Sequence, residues 1–396
     1  MSHPPRAETG ETAEMRLKLP AHATLIGRVC RPGIGPSVVT LRNGLVEDIT
    51  SRLAPTVRDV CEMENPADFV ASSRGETIGE LTQTALQSVE EHGSRSGDRL
   101  LAPCDLQVVK ACGVTFAGSM IERVIEERGG GDPAKAEKIR SRIGQRIGSR
   151  LDAVAPGSEA AVAVKQALVE EGFWSQYLEV GIGPDAEVFT KCPVMAAVGA
   201  GSRVGIHPGS VWNNPEPELV LAVNSRGIIV GVTLGNDVNL RDFEGRSALL
   251  LGKSKDNNAS TAIGPFIRLF DEAFDIGHAG AIRIHMRVTG RDGFQIEDVC
   301  DMRHISRSPS DLAAQTLNDN HAYPDGFMLF CGTPFAPVQD RDAPGAGFTH
   351  HIGDRVDIEA TEIGCLSNWV AHCADCRRWD HSASHLMRNL AARDLI

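Results

Sequence analysis

The most constraining stretch of the chain is Pro215-Glu216-Pro217-Glu218, which runs straight into LVLAV, then the turn NSRG at 224–227 and the run IIVGVTLGND. Apolar, β-branched runs either side of a short polar turn predict an antiparallel hairpin. Two glutamates one residue apart on a strand point to the same face. With NSRG as the loop, Val223 pairs with Ile228, Glu218 with Thr233 and Glu216 with Gly235. Asp237 then shares their facing, just beyond Glu216. Three carboxylates converge beside apolar strands, where they repel one another and resist desolvation unless a cation neutralises them. All-oxygen ligation favours Mg²⁺, Mn²⁺ or Ca²⁺ over zinc. The plainer alternative is a solvated edge strand whose acids do nothing more.

The rest of the chain reads as a packed globule. It is 42% hydrophobic and 23% charged, and its net charge of −12 disfavours nucleic acid or an anionic membrane as partner. No apolar run approaches the ~20 residues of a spanning helix. The N-terminal stretch lacks the apolar core of a signal peptide, and the ten cysteines are scattered, so reduced thiols in the cytoplasm are expected.

Composition and turn signals divide the chain into a flexible tail (1–20), a small N-terminal α+β domain (21–98), a β-rich catalytic domain (99–370) and a C-terminal extension (371–396). In the small domain, ATLIGRV reads as a strand. VVTLRNGLVEDI reads as a hairpin turning on Asn43-Gly44, and TIGELTQTALQSVEEH as an amphipathic helix opened by Thr77. GSRSGD at 93–98 reads as a linker. Residues from about 104 to 178 look mostly helical, broken at Gly129–Gly131, with short β-rich runs from 187 onward. A short C-terminal helix, ASHLMRNLAARDL, is expected.

The blocks FTKCPVMAAVGAGSRV, PEPELVLAVNSRGIIVGVTLGNDVNLRDFEG and KDNNASTAIGPF, followed by DMRHISR, YPDGFMLFCGTPFAP and GDRVDIEATEIGCLSN, resemble in order the core of the fumarylacetoacetate hydrolase family. The resemblance covers roughly residues 104 to 370. It implies that family's mixed β-sandwich or roll, α+β and β-rich overall, with one divalent metal, usually magnesium, on Glu216, Glu218 and Asp237. It implies an active-site lysine at Lys255, counted back from Gly264-Pro265, with Lys253 as rival. Thr333, with Gly332, would bind the substrate carboxylate, and Cys331 stands where the family has a threonine, as a small replacement and not a nucleophile. Arg241 and Asp242 match an Arg-Asp pair, with Asn239 in place of a serine. Arg241 could touch substrate or be structural.

The hydrolases of this family carry a lid histidine and glutamate that activate water. Here the lid segment, within 113–178, keeps Glu122 but has Ser119 where the histidine would stand. A hydroxyl without a neighbouring base is a poor general base near neutral pH. The pattern resembles the family's sugar-acid dehydratases, and so implies dehydration of a 2-keto-3-deoxy-D-pentonate to 2,5-dioxopentanoate by a homo-oligomer. Ser119, Glu122, Arg123 and Glu126 follow helical i, i+3, i+4, i+7 spacing as one polar stripe. Lys255, Ser119, Glu122 and Glu126 are then the expected catalytic groups, with Arg123 binding substrate. A stripe of solvated ion pairs is the alternative.

Two rival readings remain. An acylpyruvate-type hydrolase could draw its base from His207 or His285, and a non-catalytic binding module could keep only the fold. Outside the resemblance, His372, Cys373, Cys376, His381 and His385 form a C-terminal cluster. Its residue types suit structural zinc, but its intervals are shorter than a zinc finger's.

Overall fold

The computed structural model describes residues 17–89, 97–139, 154–334, 337 and 339–396. The expected tail falls outside these up to residue 16, as do residues 93–96 of the expected linker. Among the described residues, eleven strands form one mixed sheet. Ten run in the order Glu76–Glu80, Leu45–Asp48, Gly35–Arg42, Leu25–Arg31, Thr261–Leu269, Ile229–Asp237, Pro217–Val223, Phe327–Phe330, Val108–Gly113, Glu187–Cys192. The eleventh, Arg99–Leu101, pairs with Leu25–Arg31. A second sheet orders Gln295–Asp301, Arg283–Thr289, Arg355–Ala360, Gly364–His372, Arg203–Ile206. The architecture is α+β and β-rich, with two sheets stacked as a sandwich.

The acidic hairpin lies at the centre of the large sheet. Leu219, Leu221 and Val223 pack in one core cluster with Met286, Ile358 and Leu366 of the second sheet. Val220 and Ala222 pack on the other face with Val57, Val60 and Val70, beneath the helices Val57–Cys61 and Pro66–Ser72. A strand covered on both faces is apolar along its whole length, which is why LVLAV shows no alternation. Each such side chain contributes roughly 1.5–3 kcal/mol on burial.

The hairpin register differs from the expected one by two residues. Glu218 faces Gly235, Val220 faces Thr233, and Val223 pairs with Ile229 across an irregularity after Ala222. Asn224 causes this. Its N–H donates to Ile228 O at 3.0 Å, and its side-chain oxygen accepts from Arg226 N and Ile228 N, each at 3.0 Å. Ile228 is therefore drawn into the loop, and the bulge takes up a further residue. A shift of two leaves the facing unchanged.

The N-terminal unit is not a separate sheet, because Leu25–Arg31 pairs with Thr261–Leu269 inside the large one. Its Asn43-Gly44 turn closes as expected, with φ of 52° and 79° and Arg42 opposite Leu45. The helix expected from Thr77 starts later, at Leu81, because residues Glu76–Glu80 pair with Leu45–Asp48 instead. Similarly Val108–Gly113, inside the stretch read as helical, is a strand held between Phe327–Phe330 and Glu187–Cys192. In both places β pairing outweighs a weak local helical pattern. The C-terminal helix spans Ala383–Ala392.

A candidate metal and active site beneath a lid helix

The helix Ala117–Gly129 roofs the acidic end of the hairpin. It follows extended Phe116 and stops at Gly130, whose φ of 64° suits glycine. Met120, Val124 and Ile125 bury its apolar stripe against Leu178 and Ile182. Its entrance is tied down at Thr115, whose Oγ1 donates to Cys331 O at 2.7 Å and whose carbonyl accepts from Ser306 N at 2.8 Å. The neighbouring Val114 holds φ of 57°, a conformation that β-branched residues rarely adopt.

The expected polar stripe faces inward. Ser119, Glu122, Arg123 and Glu126 line one pocket with Glu216, Glu218, Asp237, Arg241, Lys255, Gly332 and Thr333. Every candidate site residue of the metal, lysine, lid and Gly-Thr groups is thus brought together. The rivals are not: Lys253 is exposed over the Phe243 ring, His207 packs edge-on against the same ring, and His285 is exposed on the second sheet.

Glu216, Glu218 and Asp237 are all buried, and one oxygen from each lies within 4.8 Å of the others. At that spacing and an effective dielectric of about 20, each ionised pair would repel by roughly 3 kcal/mol. Burial, followed by Asp237 and Glu216, pushes the Glu218 carboxyl well above its ordinary range. Lys255 Nζ answers part of this charge, 2.5 Å from Glu216 Oε2 and 3.1 Å from Asp237 Oδ2. Lys191 Nζ lies 3.1 Å from Asp237 Oδ1 and also donates to Ser260 O at 3.0 Å. The pocket lining carries seven carboxylates (Glu122, Glu126, Glu187, Glu216, Glu218, Asp237, Glu244) against three cations (Arg123, Arg241, Lys255). A hard divalent cation fits both that imbalance and the all-oxygen donor set.

Several side chains hold the triad in place. Asn239 Nδ2 donates to Glu216 Oε1 at 3.0 Å, and Gly332 N donates to Glu218 Oε2 at 2.6 Å. Gly332 has φ of 85°, and a Cβ there would meet Thr115 Oγ1 at 2.2 Å, so only glycine presents its N–H this way. That N–H serves Glu218. Arg123 reaches Glu216 at 2.8 Å, Glu126 at 2.6 Å and Glu244 at 2.9 Å. Arg241 is buried 4.2 Å from the Trp212 ring centroid, 2.6 Å from Glu126 Oε1 and 3.4 Å from Glu122 Oε2, and donates to Pro337 O at 3.0 Å. It clamps the lid helix to the floor. Asp242 caps a loop, accepting from Ser210 Oγ and Val211 N. Ser119 Oγ donates to Phe116 O at 2.8 Å within the first helical turn. Cys331 is buried, and burial raises its thiol far above the range of a nucleophile.

Burial would raise Glu126, but Arg241 and Arg123 outweigh it and hold the carboxyl below its ordinary range. Glu187 goes the other way: burial, then Glu244, push it up to about 7. Sequence reasoning overlooked Glu187, Lys191 and Glu244. The signal for two of them was present, since strand alternation in EVFTK puts Glu187, Phe189 and Lys191 on one face.

The C-terminal Cys and His residues do not gather in this way. Among the described residues, the only group with metal-ligand spacing is the acidic triad. His381 and His385 stack with centroids 5.7 Å apart, while Cys376 is buried.

Fold and site together define a mixed-sheet α+β protein with a buried three-carboxylate centre under a helical lid. The sequence profile of the fumarylacetoacetate (FAA) hydrolase C-terminal family matches residues 184–371, and this part of the chain is a domain of that family. Two curated relatives resemble the chain. One is the probable 2-keto-3-deoxyxylonate dehydratase of Haloferax volcanii, 32% identical over 202 residues, covering 51% of this chain and 65% of that protein. The other is the 2-dehydro-3-deoxy-D-arabinonate dehydratase of Saccharolobus solfataricus, 29% identical over 180 residues, covering 46% and 57%. The matched stretch is thus under two thirds of either relative. The fold is shared with a solved 2-keto-3-deoxy-D-arabinonate dehydratase complexed with magnesium and 2,5-dioxopentanoate. That likeness has a TM-score of 0.60 at 21% identity and covers 90% of this chain and 99% of that one. No helix among the described residues is long and apolar enough to cross a membrane.

Proposed function

We propose that the protein is a magnesium-dependent dehydratase converting a 2-keto-3-deoxy-D-pentonate to 2,5-dioxopentanoate, working as a homo-oligomer. The observation that carries this reading is the lid helix. Glu122 lines the three-carboxylate site, no histidine among the described residues lines the pocket, and the serine in the histidine's place bonds to its own helix. Hydrolysis of a carbon–carbon bond needs an activated water. Elimination needs only loss of a C3 proton and protonation of the departing C4 hydroxyl.

Glu216, Glu218 and Asp237 would hold the cation, which supplies Lewis acidity toward the 2-oxo acid and so loosens the C3 protons. Lys255 is a cation at the edge of the triad and would stabilise negative charge developing on the C2 oxygen. Thr333 would bind the substrate carboxylate. Glu122 is the group best placed to give its proton to the C4 hydroxyl, which leaves as water. Glu187, protonated part of the time near neutrality, is a second proton source, whereas Glu126, held ionised by two arginines, orders the lid. A carboxylate of the lining would take the C3 proton and pass it back to Glu122 as the C4 oxygen departs as water, and a proton moved from C5 to C3 then gives the C5 enol, which becomes the aldehyde.

Incubation with a panel of 2-keto-3-deoxy acids and acylpyruvates, with products identified by mass, tests this reading. It requires turnover among the deoxy acids only.

A further inference from the structure

A second cavity, of about 170 Å³, opens where the C-terminal segment crosses the strand Leu25–Arg31 and the stretch 195–198. Four arginines line it, Arg28, Arg99, Arg377 and Arg378, against a single carboxylate, Asp380. In a chain with net charge −12, such a concentration of positive charge calls for an anion to relieve it.

Part of the donor capacity around this cavity is not taken up by the protein itself. Arg28 is 5% exposed; its Nη1 donates to Ala102 O at 3.3 Å and to Cys104 O, which leaves Nη2 facing the Met195 sulfur at 3.8 Å. Its acidic neighbour, Asp105, stands 3.5 Å from Nε and already accepts from Val57 N and Arg58 N at the start of a helix. Arg377 and Arg378 are exposed and make no ion pair among the described residues. His381 lines the same cavity, and its Nε2 is buried without a hydrogen-bond partner. A buried polar atom left unsatisfied costs about 1–3 kcal/mol.

Two further features mark the wall as built. Met195 and Ala259 both hold left-handed φ, 66° and 60°, which side-chain-bearing residues seldom keep without a reason. Asn258 shapes the arginine segment directly: its Nδ2 donates to Cys373 O at 3.0 Å and Arg377 O at 3.1 Å, and its Oδ1 accepts from Trp379 N at 3.2 Å. The Trp379 indole is 46% exposed at the rim, and Ala196, Ala197 and Val198 give an apolar floor.

We propose that this cavity is a binding site for a small organic anion, a carboxylate or phosphate monoester on a flat apolar body. Its charge would sit among Arg28, Arg377 and Arg378, with its body against Trp379. The arginines and His381 satisfy the anion, and the rim indole stacks on the body. Asn258 and Ala259 belong to the loop that begins after Lys255, so the ligand would lie behind the catalytic lysine, outside the catalytic pocket.

The test titrates the full-length protein with phenyl phosphate and with phenylacetate, using benzyl alcohol as the uncharged control, and follows tryptophan fluorescence and calorimetry. Saturable binding of at least one anion, with Kd of about 1 mM or tighter, is expected, with none for the alcohol. Trp379→Phe should remove the fluorescence response. Arg377→Ala with Arg378→Ala should weaken anion binding about tenfold or more at an unchanged Tm. Absence of saturable binding, or equal affinity in the double variant, would overturn the proposal. So would dissociation of an oligomer by the double variant in light scattering, because the cavity would then belong to a contact between copies.

Discussion

Asp237 lies directly across the sheet from Glu216, and its backbone N–H donates to the Glu216 carbonyl at 3.0 Å. This contact sets the two carboxylates side by side, and Glu218 joins them from the same strand face. The shared facing holds in either register, but the direct opposition of Glu216 and Asp237 comes from the two-residue displacement at the Asn224 loop.

A cation bound there should stabilise the folded chain by about 2.7 kcal/mol at a hundredfold excess over its Kd. Mg²⁺ or Mn²⁺ should therefore raise the Tm of chelated protein in calorimetry. Glu218→Gln removes a donor and also a source of repulsion. It should leave the metal-free Tm equal or higher and abolish most of the metal-dependent rise. An undiminished rise in that variant would count against the triad as the metal site.

Lys255 and Lys253 should behave differently. Lys255 is buried between Glu216 and Asp237, whereas Lys253 is exposed. Lys255→Ala should lower kcat by about 10³-fold or more, as expected for a charge aimed at the developing oxyanion. Lys253→Ala should stay within about twofold, since exposed substitutions rarely matter. Steady-state kinetics on the two variants decides this, and the opposite ranking would show that the wrong lysine has been chosen.

The legible parts of this chain share a physical reason. Side-chain alternation survives a two-residue register error, so Glu216, Glu218 and Asp237 were found on one face although each pairing was wrong. Helical spacing likewise gathered Ser119, Glu122, Arg123 and Glu126. What stayed hidden depends on long-range pairing. Residues 76–80 and 108–113 become strands because partners far along the chain complete their hydrogen bonds. The roles of Arg241 and Gly332 also depend on contacts across roughly a hundred residues, with the lid helix and with Glu218.

Glu187 should give the stability a distinct pH dependence. Its folded value of about 7 lies above its ordinary value of 4.5. The bound proton therefore contributes stability that is fully present below about pH 4.5 and is lost as pH rises through about 7. Glu187→Gln should raise the stability of chelated protein at pH 8 by about 1–2 kcal/mol and have little effect at pH 4.5. Denaturant melts at the two pH values measure the difference, and an equal effect at both would contradict the assignment.

The C-terminal cluster should not hold zinc. Purified, dialysed protein should contain no stoichiometric zinc by elemental analysis, and Cys373→Ser should leave the Tm within about a degree, as for a surface substitution. One tightly held zinc per chain, lost in that variant, would reverse this expectation.

Which bond breaks can be read from one NMR measurement. Magnesium-loaded protein would be given 2-keto-3-deoxy-D-arabinonate in deuterated water, with an acylpyruvate in a parallel sample. The product should be 2,5-dioxopentanoate carrying solvent deuterium at C4, where the C5 enol is protonated, with no pyruvate in either sample. Glu122→Gln should slow this conversion by about 10²-fold or more, and Ser119→Ala should matter less. Rapid release of pyruvate from the acylpyruvate, with no turnover of the deoxy sugar acid, would contradict the dehydratase reading and leave the fold and the three-carboxylate site as described.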